Sequence, residues 1–114
     1  MSQQRVLKAL INLGLSQIDA DVYVFLANSG PQKTEKIAEE LQLQEQTLYH
    51  SLENLANKGV VNSTHEHLAL FYALPFDKAL EILVKEQLKQ AQVMEQNKDE
   101  ILSKWKNMTK DPAN

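Results

Sequence analysis

Polar side chains between residues 45 and 58 have the types and the spacing needed to form hydrogen bonds with the edges of nucleobases. On a helix that turns about 100° per residue, one face of this segment displays Gln46, His50, Glu53 and Asn57. Thr47 and Asn54 lie beside that face. Glutamine and asparagine can pair with adenine, and threonine can contact the methyl group of thymine. The segment is therefore competent for base readout, and an ordinary solvated polar face is the alternative.

Three side chains before this segment could contact a phosphate backbone, namely Lys33, Thr34 and Lys36. They lie at the start of a predicted helix, where ammonium groups and free backbone amides favour phosphate. Ordinary surface lysines are the alternative. Gln44, in the turn that precedes the segment, is a further candidate for DNA contact. Tyr49 could reach a phosphate through its hydroxyl, although an aromatic ring beside a leucine stripe more often packs partly buried.

Two histidines, His65 and His67, alternate onto one face of a predicted hairpin, where protonation would add positive charge for DNA contact. A metal site would need further ligands, and only Glu66 and His50 are candidates. We therefore expect no metal and no cofactor. The sequence shows no paired carboxylates, no nucleophile with its base and no glycine-rich phosphate loop, so we expect no enzymatic activity.

The elements that must position these side chains follow from the spacing of apolar residues. Four helices are predicted, over residues 3–13, 17–28, 35–41 and 45–58. Ser16 and Thr34 are candidates to cap the second and third helices, and Gly14, Gly30 and Gly59 mark helix ends. The second helix is predicted to bury one stripe, formed by Ile18, Val22, Phe25 and Leu26. The third and fourth helices, joined by a tight turn, form a helix-turn-helix.

Beyond the fourth helix the pattern changes to that of strands. Residues 60–64 and 68–73 are rich in β-branched, aromatic and aliphatic side chains and predict a hairpin, or wing, that ends at Pro75. Residues 76–108 contain no glycine or proline and predict one long helix. The expected fold is mainly α with a small β hairpin. We expect a winged helix-turn-helix domain over 1–75, a coiled-coil-like dimerisation helix over 76–108 and a frayed tail over 109–114.

The long helix carries an imperfect heptad stripe that Leu88 and Leu102 widen. The expected dimer interface on this apolar stripe consists of Leu80, Val84, Leu88, Ala91, Met94, Ile101, Trp105 and Met108. A helix of roughly 30 residues is about 45 Å long and cannot lie wholly against so small a domain, so a homodimer is expected. Lys98 and Gln87 within the stripe are unfavourable in a tight parallel coiled coil, so parallel and antiparallel pairing both stay open. A small-molecule pocket around the methionines and tryptophan is a minor alternative to plain packing.

The composition limits the setting and the partners of the chain. The 114 residues include no cysteine, which favours a reducing compartment, and we expect the cytoplasm. The N-terminus does not resemble a signal peptide, and no apolar run is long enough to suggest a membrane span. The formal net charge is -3, and residues 1–75 hold five basic against eight acidic side chains. This balance counts against strong sequence-independent affinity for DNA.

Three stretches of the chain resemble the TrmB family of archaeal transcriptional regulators: LGLSQIDADVYVFLANSGPQKTEKIAEEL, YHSLENLANKGVV and FYALPFDKALEILVKEQ. The resemblance covers about residues 10–90. It implies a winged-helix domain that binds double-stranded DNA, with the 45–58 helix in the major groove and the wing against the flanking backbone. It also implies homodimers. Longer members carry a sugar-sensing domain, and because this chain ends after the long helix we expect no sugar site.

The chain departs from the family pattern in its charge. Family members commonly place arginine or lysine near the positions of Glu45, Thr47 and Glu53, and their wings are often basic, whereas residues 63–67 here read STHEH. This leaves a second hypothesis open, in which the winged helix is a protein–protein interaction module with little or no DNA affinity and with a protein partner instead.

Overall fold

The computed structural model of the protein describes residues 2–64 and 69–109. Within these residues the elements are α1 (Ser2–Asn12), α2 (Gln17–Ser29), α3 (Thr34–Leu41), α4 (Glu45–Lys58), β1 (Val61–Ser63), β2 (Phe71–Ala73) and α5 (Phe76–Thr109). The chain divides into two compact units, Met1–Val84 and Lys85–Asn114. The predicted fold class, mainly helical with a small hairpin and a long C-terminal helix, is confirmed.

The ends of the helices follow from local side-chain and backbone chemistry. The Ser16 hydroxyl accepts a hydrogen bond from the Asp19 amide at 3.0 Å, so Ser16 caps α2 as predicted. Gly59 ends α4 with a φ of 83°, a left-handed conformation that glycine adopts without a steric penalty. The predicted capping role of Thr34 is wrong. Helix α3 begins at Thr34 itself, and the threonine hydroxyl donates to Glu35 Oε1 at 2.7 Å instead.

Helix α2 lies at the centre of the first unit and contacts α1, α3, α4 and β2. Because neighbours surround it, α2 buries most of its circumference, with Ala20, Val22, Tyr23, Val24 and Leu26 all in the core. The prediction of a single buried stripe on α2 was therefore wrong in part, since Ile18 is 37% exposed and Phe25 is half-buried. The other helices and the hairpin complete the core with Leu10, Leu15, Ile37, Leu48, Leu52, Leu55, Val60, Val61, Ala79 and Leu83.

The hairpin pairs β1 and β2 in antiparallel register, with Asn62 opposite Tyr72. The strands are shorter than predicted, and residues 65–68 between them lie outside the described residues. A third short segment joins the hairpin, because Gln32 and Phe71 exchange two backbone hydrogen bonds of 2.9 and 2.8 Å. The connection between α2 and α3 is thus hydrogen-bonded directly to the first residue of β2.

The buried Tyr23 on α2 ties that helix to the end of the hairpin. Its hydroxyl donates to the Leu74 carbonyl at 2.6 Å. Burial, with a smaller contribution from the negative charge of Asp77, raises the pKa of Tyr23 to about 12. The folded state therefore favours the neutral phenol, and this stabilisation is complete below the unfolded pKa and is lost as the pH rises through the folded one.

A Tyr23→Phe variant tests this assignment. We expect the variant to be less stable than the wild type by about 1 kcal/mol at pH 8, because it lacks one buried hydrogen bond. Above pH 10, the unfolded-state value, the wild type should lose stability more steeply than the variant, until the phenol ionises at about pH 12. Chemical denaturation at a series of pH values measures the difference, and parallel stability curves between these pH values would contradict the assignment.

Helix α5 begins in the first unit, where it contributes the buried side chains Ala79 and Leu83. Its residues from 85 to 109 form the described part of the second unit, and their side chains are exposed except for the half-buried Gln87. The predicted frayed tail falls almost wholly on residues 110–114, which lie outside the described residues. No helix in the described part of the chain is long and apolar enough to cross a membrane.

Candidate nucleic-acid interface

The polar face of α4 is set by the leucines on its opposite side. Leu48, Leu52 and Leu55 are at most 3% exposed, so they determine how the helix is rotated about its axis. The remaining arc is open to solvent and displays Gln46, His50, Glu53 and Asn57, as the sequence predicts. Thr47 and Asn54 are half-buried at the edge of that arc, and Gln44 is the exposed residue that precedes α4. The structure thus brings the predicted base-reading side chains onto one helix.

A buried hydrogen bond between α2 and α4 was not predicted from the sequence. The Ser51 hydroxyl donates to Asp19 Oδ1 at 2.6 Å, and the two residues are only 2% and 5% exposed. Because a buried hydrogen bond is directional, this pair restrains the rotation of α4 in addition to the leucine packing. A signal was present in the sequence, since Ser51 lies three residues after Leu48 and so falls on the buried face.

A second unpredicted pair lies on the exposed side of α4. Tyr49 is 47% exposed, and its hydroxyl donates to Glu45 Oε1 at 3.0 Å. The expectation that Tyr49 packs partly buried beside the leucines is therefore wrong: the ring extends the solvent-exposed face and is held by a charged partner. The spacing of four residues was the available signal, because side chains at i and i+4 meet on a helix.

The start of α3 holds the three predicted phosphate contacts, but two of them already have partners. Lys36 Nζ lies 2.9 Å from Glu40 Oε1, and the hydrogen bond from this ammonium to Glu40 raises the pKa of Lys36. The Thr34 hydroxyl donates a hydrogen bond to the Glu35 carboxylate, and this hydrogen bond lowers the pKa of Glu35. Lys33 is exposed directly before the helix. A phosphate at this position would have to compete with Glu40 for Lys36.

The two helices of the helix-turn-helix carry more negative than positive charge. Their basic side chains are Lys36 and Lys58, and their acidic ones are Glu35, Glu39, Glu40, Glu45 and Glu53. In contrast, α1 contains Arg5 and Lys8 and no acidic residue. Any anionic partner of α4 therefore meets an acidic surface and must be recognised through specific contacts rather than by bulk attraction.

His65 and His67, the predicted backbone contacts of the wing, lie outside the described residues, as does Glu66. Over residues 2–64 and 69–109, no three histidine, cysteine, aspartate or glutamate side chains are grouped as a metal site would require.

The predicted dimerisation stripe is largely exposed along α5. Within the first unit, Leu80 is half-buried and Val84 is exposed. Within the second unit the exposed members are Leu88, Ala91, Met94, Ile101, Trp105 and Met108. Lys98 interrupts the stripe and lies 3.4 Å from Glu95 Oε1 on the same helix. Apolar side chains as large as Leu88 and Trp105, 60% and 59% exposed, leave a substantial hydrophobic surface in contact with water.

Comparison with solved structures shows the same architecture in other proteins. TrmBL2, described as an archaeal chromatin protein with a novel mode of DNA binding, superposes with a TM-score of 0.74 at 17% identity over 95% of this chain. A possible transcriptional regulator from Methanosarcina mazei superposes with a TM-score of 0.62 at 19% identity. The match covers 77% of this chain and 80% of that protein. A MarR family protein from Bacillus stearothermophilus superposes with a TM-score of 0.57 at 18% identity. The match covers 92% of this chain and 77% of that protein. At these identities the likeness shows a shared fold.

Sequence comparison identifies the family. The chain spans only 42% of the TrmBL2 chain. A search of curated protein sequences gives no match. The sequence profile of the family described as "Sugar-specific transcriptional regulator TrmB" matches residues 10–77, which is more than half of the chain, and confirms the resemblance inferred from the sequence. This chain belongs to the TrmB family of transcriptional regulators.

Proposed function

We propose that this protein is a homodimeric transcriptional regulator that binds double-stranded DNA, with α4 in the major groove. The observation that carries the proposal is the solvent-exposed polar face of α4, held by buried leucines within a helix-turn-helix of this family. The family is one of transcriptional regulators rather than enzymes. Recognition helices in such domains place their N-terminal side chains against base edges.

The roles of the contacting residues follow from their chemistry and position. Gln46, His50, Thr47 and Asn54 read base edges, with Gln44 at the entry to the helix. The start of α3 anchors the phosphate backbone through Lys33, Thr34 and Lys36. In the wing, His65 and His67 contact the flanking backbone and add positive charge when protonated.

Two copies assemble through the apolar stripe of α5, so residues 1–75 serve as the DNA-binding part and residues 76–108 as the dimerisation helix. The exposed leucine, isoleucine and tryptophan side chains on that helix support this assembly, because pairing removes their apolar surface from water. A two-fold dimer prefers a two-fold related DNA site, with half-sites about 34 Å apart or a multiple of that distance.

Fluorescence anisotropy with mixed-sequence duplex DNA at several salt concentrations tests the proposal. If Lys33 and Lys36 of each protomer neutralise one phosphate apiece, the logarithm of the affinity should fall linearly with the logarithm of the salt concentration, with a slope of about -4. Lys33→Ala should make this slope shallower by about 2 units, since a dimer loses two contacts. Lys89→Ala on α5 removes an equal charge from an exposed residue that is not assigned to DNA contact and should leave the slope unchanged.

The same titration distinguishes DNA binding from the second candidate function, that of a protein–protein interaction module. The observation in its favour is the acidic excess on α3 and α4, together with the engagement of Lys36 by Glu40. A module of this kind would bind no duplex even at low salt. That result would overturn the DNA-binding proposal and would direct the search toward a protein with a basic surface.

A further inference from the structure

We infer that Glu45 and Tyr49 form a preoriented acceptor that selects cytosine in the DNA site. This inference rests on the proposed function, because it assigns a base preference to the helix that is proposed to enter the major groove. It assigns a function in binding to an acidic residue at a position where members of this family commonly carry arginine or lysine.

The position of Glu45 favours contact with a base. Glu45 is the first residue of α4 and is exposed, so it stands at the end of the helix that approaches the base edges first. The partial positive charge of the helix N-terminus stabilises a carboxylate there and reduces the cost of bringing it into the groove. In the middle of a groove about 12 Å wide, the carboxylate also stands away from the phosphates at either side.

The hydrogen bond from Tyr49 fixes the direction of this carboxylate. A phenol has a single hydrogen to donate, and here it is donated to Oε1 at 3.0 Å. Glutamate side chains on a helix surface otherwise sample several rotamers, and ordering one on binding costs free energy. Because Tyr49 already restrains Glu45 in the free protein, the second oxygen, Oε2, is offered to a ligand with less entropy to lose.

The chemistry of an ionised carboxylate distinguishes cytosine from the other bases. Such a group only accepts hydrogen bonds, so it needs a donor on the base edge. In the major groove only cytosine N4 and adenine N6 donate, while guanine and thymine present acceptors. Adenine places the N7 acceptor beside its donor, which repels a carboxylate, whereas cytosine has no such acceptor on its exposed edge. Cytosine is therefore the preferred partner of Glu45.

A carboxylate in this place also raises specificity in a second way. It lowers affinity for every duplex through repulsion from phosphate, but at the preferred site the hydrogen bond to cytosine offsets that repulsion. The ratio of specific to non-specific binding, which decides occupancy in a genome, is larger than for a neutral residue.

The test selects sites from a random duplex library with the wild type, Glu45→Gln, Tyr49→Phe and Glu39→Gln. Wild-type sites should contain a fixed cytosine in each half-site. Glu45→Gln should replace that cytosine by adenine, which glutamine pairs through N6 and N7, and should bind the wild-type site about tenfold more weakly. Tyr49→Phe should keep the cytosine with discrimination reduced about threefold. Glu39→Gln removes the same charge from an exposed position of α3 and should keep the wild-type site.

Two adverse outcomes are distinguishable. If the wild type enriches no sequence and binds no duplex at low salt, the proposed function fails and the cytosine preference fails with it. If the wild type enriches a site but Glu45→Gln selects the same base and binds it equally or more tightly, the proposed function stands and the inference is wrong, because Glu45 then only repels phosphate. Circular dichroism of each variant verifies that α4 remains folded.

Discussion

A Leu88→Glu variant is expected to be monomeric at concentrations at which the wild-type protein is a dimer. The side chain is 60% exposed in a single chain and belongs to the apolar stripe proposed to pair in the homodimer. Each protomer of the variant would bring a carboxylate into that interface, so the dimer would contain two unpaired charges. A total loss of about 4 kcal/mol corresponds to a dissociation constant about 1000-fold higher. Sedimentation equilibrium of the full chain measures the change directly.

A matched control is available on the same helix. Gln96→Glu adds the same charge at an exposed position on the opposite side of α5 and should leave the dimer intact. Ile101→Glu, which alters the stripe about three and a half turns further along, should reproduce the effect of Leu88→Glu. If both stripe variants remain dimeric, the stripe is not the interface and the assembly part of the proposed function is wrong.

Replacement of Leu55 by alanine is expected to lower the free energy of unfolding by about 3 kcal/mol. Leu55 is fully buried on α4, where it packs in the core shared with α2 and the hairpin. The loss combines the transfer free energy of the removed methyl and methine carbons with the cavity left behind, which a close-packed core fills only in part. Urea denaturation followed by circular dichroism gives the difference, and an unchanged m-value would show that the unfolded state is not altered.

Ile18→Ala is the informative comparison for this prediction. The apolar pattern of α2 places Ile18 on the predicted buried stripe, whereas the structure leaves it 37% exposed. Its truncation should therefore reduce stability by about 1 kcal/mol or less, because much of the side chain is already in water. Equal losses of stability in Leu55→Ala and Ile18→Ala would contradict the difference in burial between these two side chains.

Helix existence and position were accessible from the sequence because they depend on local signals. Ser16 and Gly59 mark the ends of α2 and α4 through chemistry that involves only neighbouring residues, and the structure agrees within a residue. Thr34 is not the cap because it is already the first residue of α3, and the preceding residue, Lys33, occupies the capping position. A preference for capping does not by itself decide which of two neighbouring residues directly precedes the helix.

The candidate site was only partly predictable for a different reason. The exposed face of α4 follows from the period of its leucines, so Gln46 and His50 could be placed on it without a structure. The Ser51–Asp19 bond joins residues 32 positions apart in the sequence, and nothing local to either residue indicates its partner. Tyr49 was misjudged because aromatic rings usually pack, and its exposure depends on which neighbours α4 acquires in the fold.

The two backbone hydrogen bonds between Gln32 and Phe71 link the hairpin to the start of α3. Because they join the chain just before α3 to Phe71, the first residue of β2, the hairpin is held to the rest of the domain by more than its own two strands. Separating the hairpin from the domain would break both hydrogen bonds, which are made by the residue directly before Lys33. Local opening of the hairpin would therefore also remove two hydrogen bonds that hold the chain just before α3. A contact that holds β2 in place would therefore also restrain the chain at the start of α3.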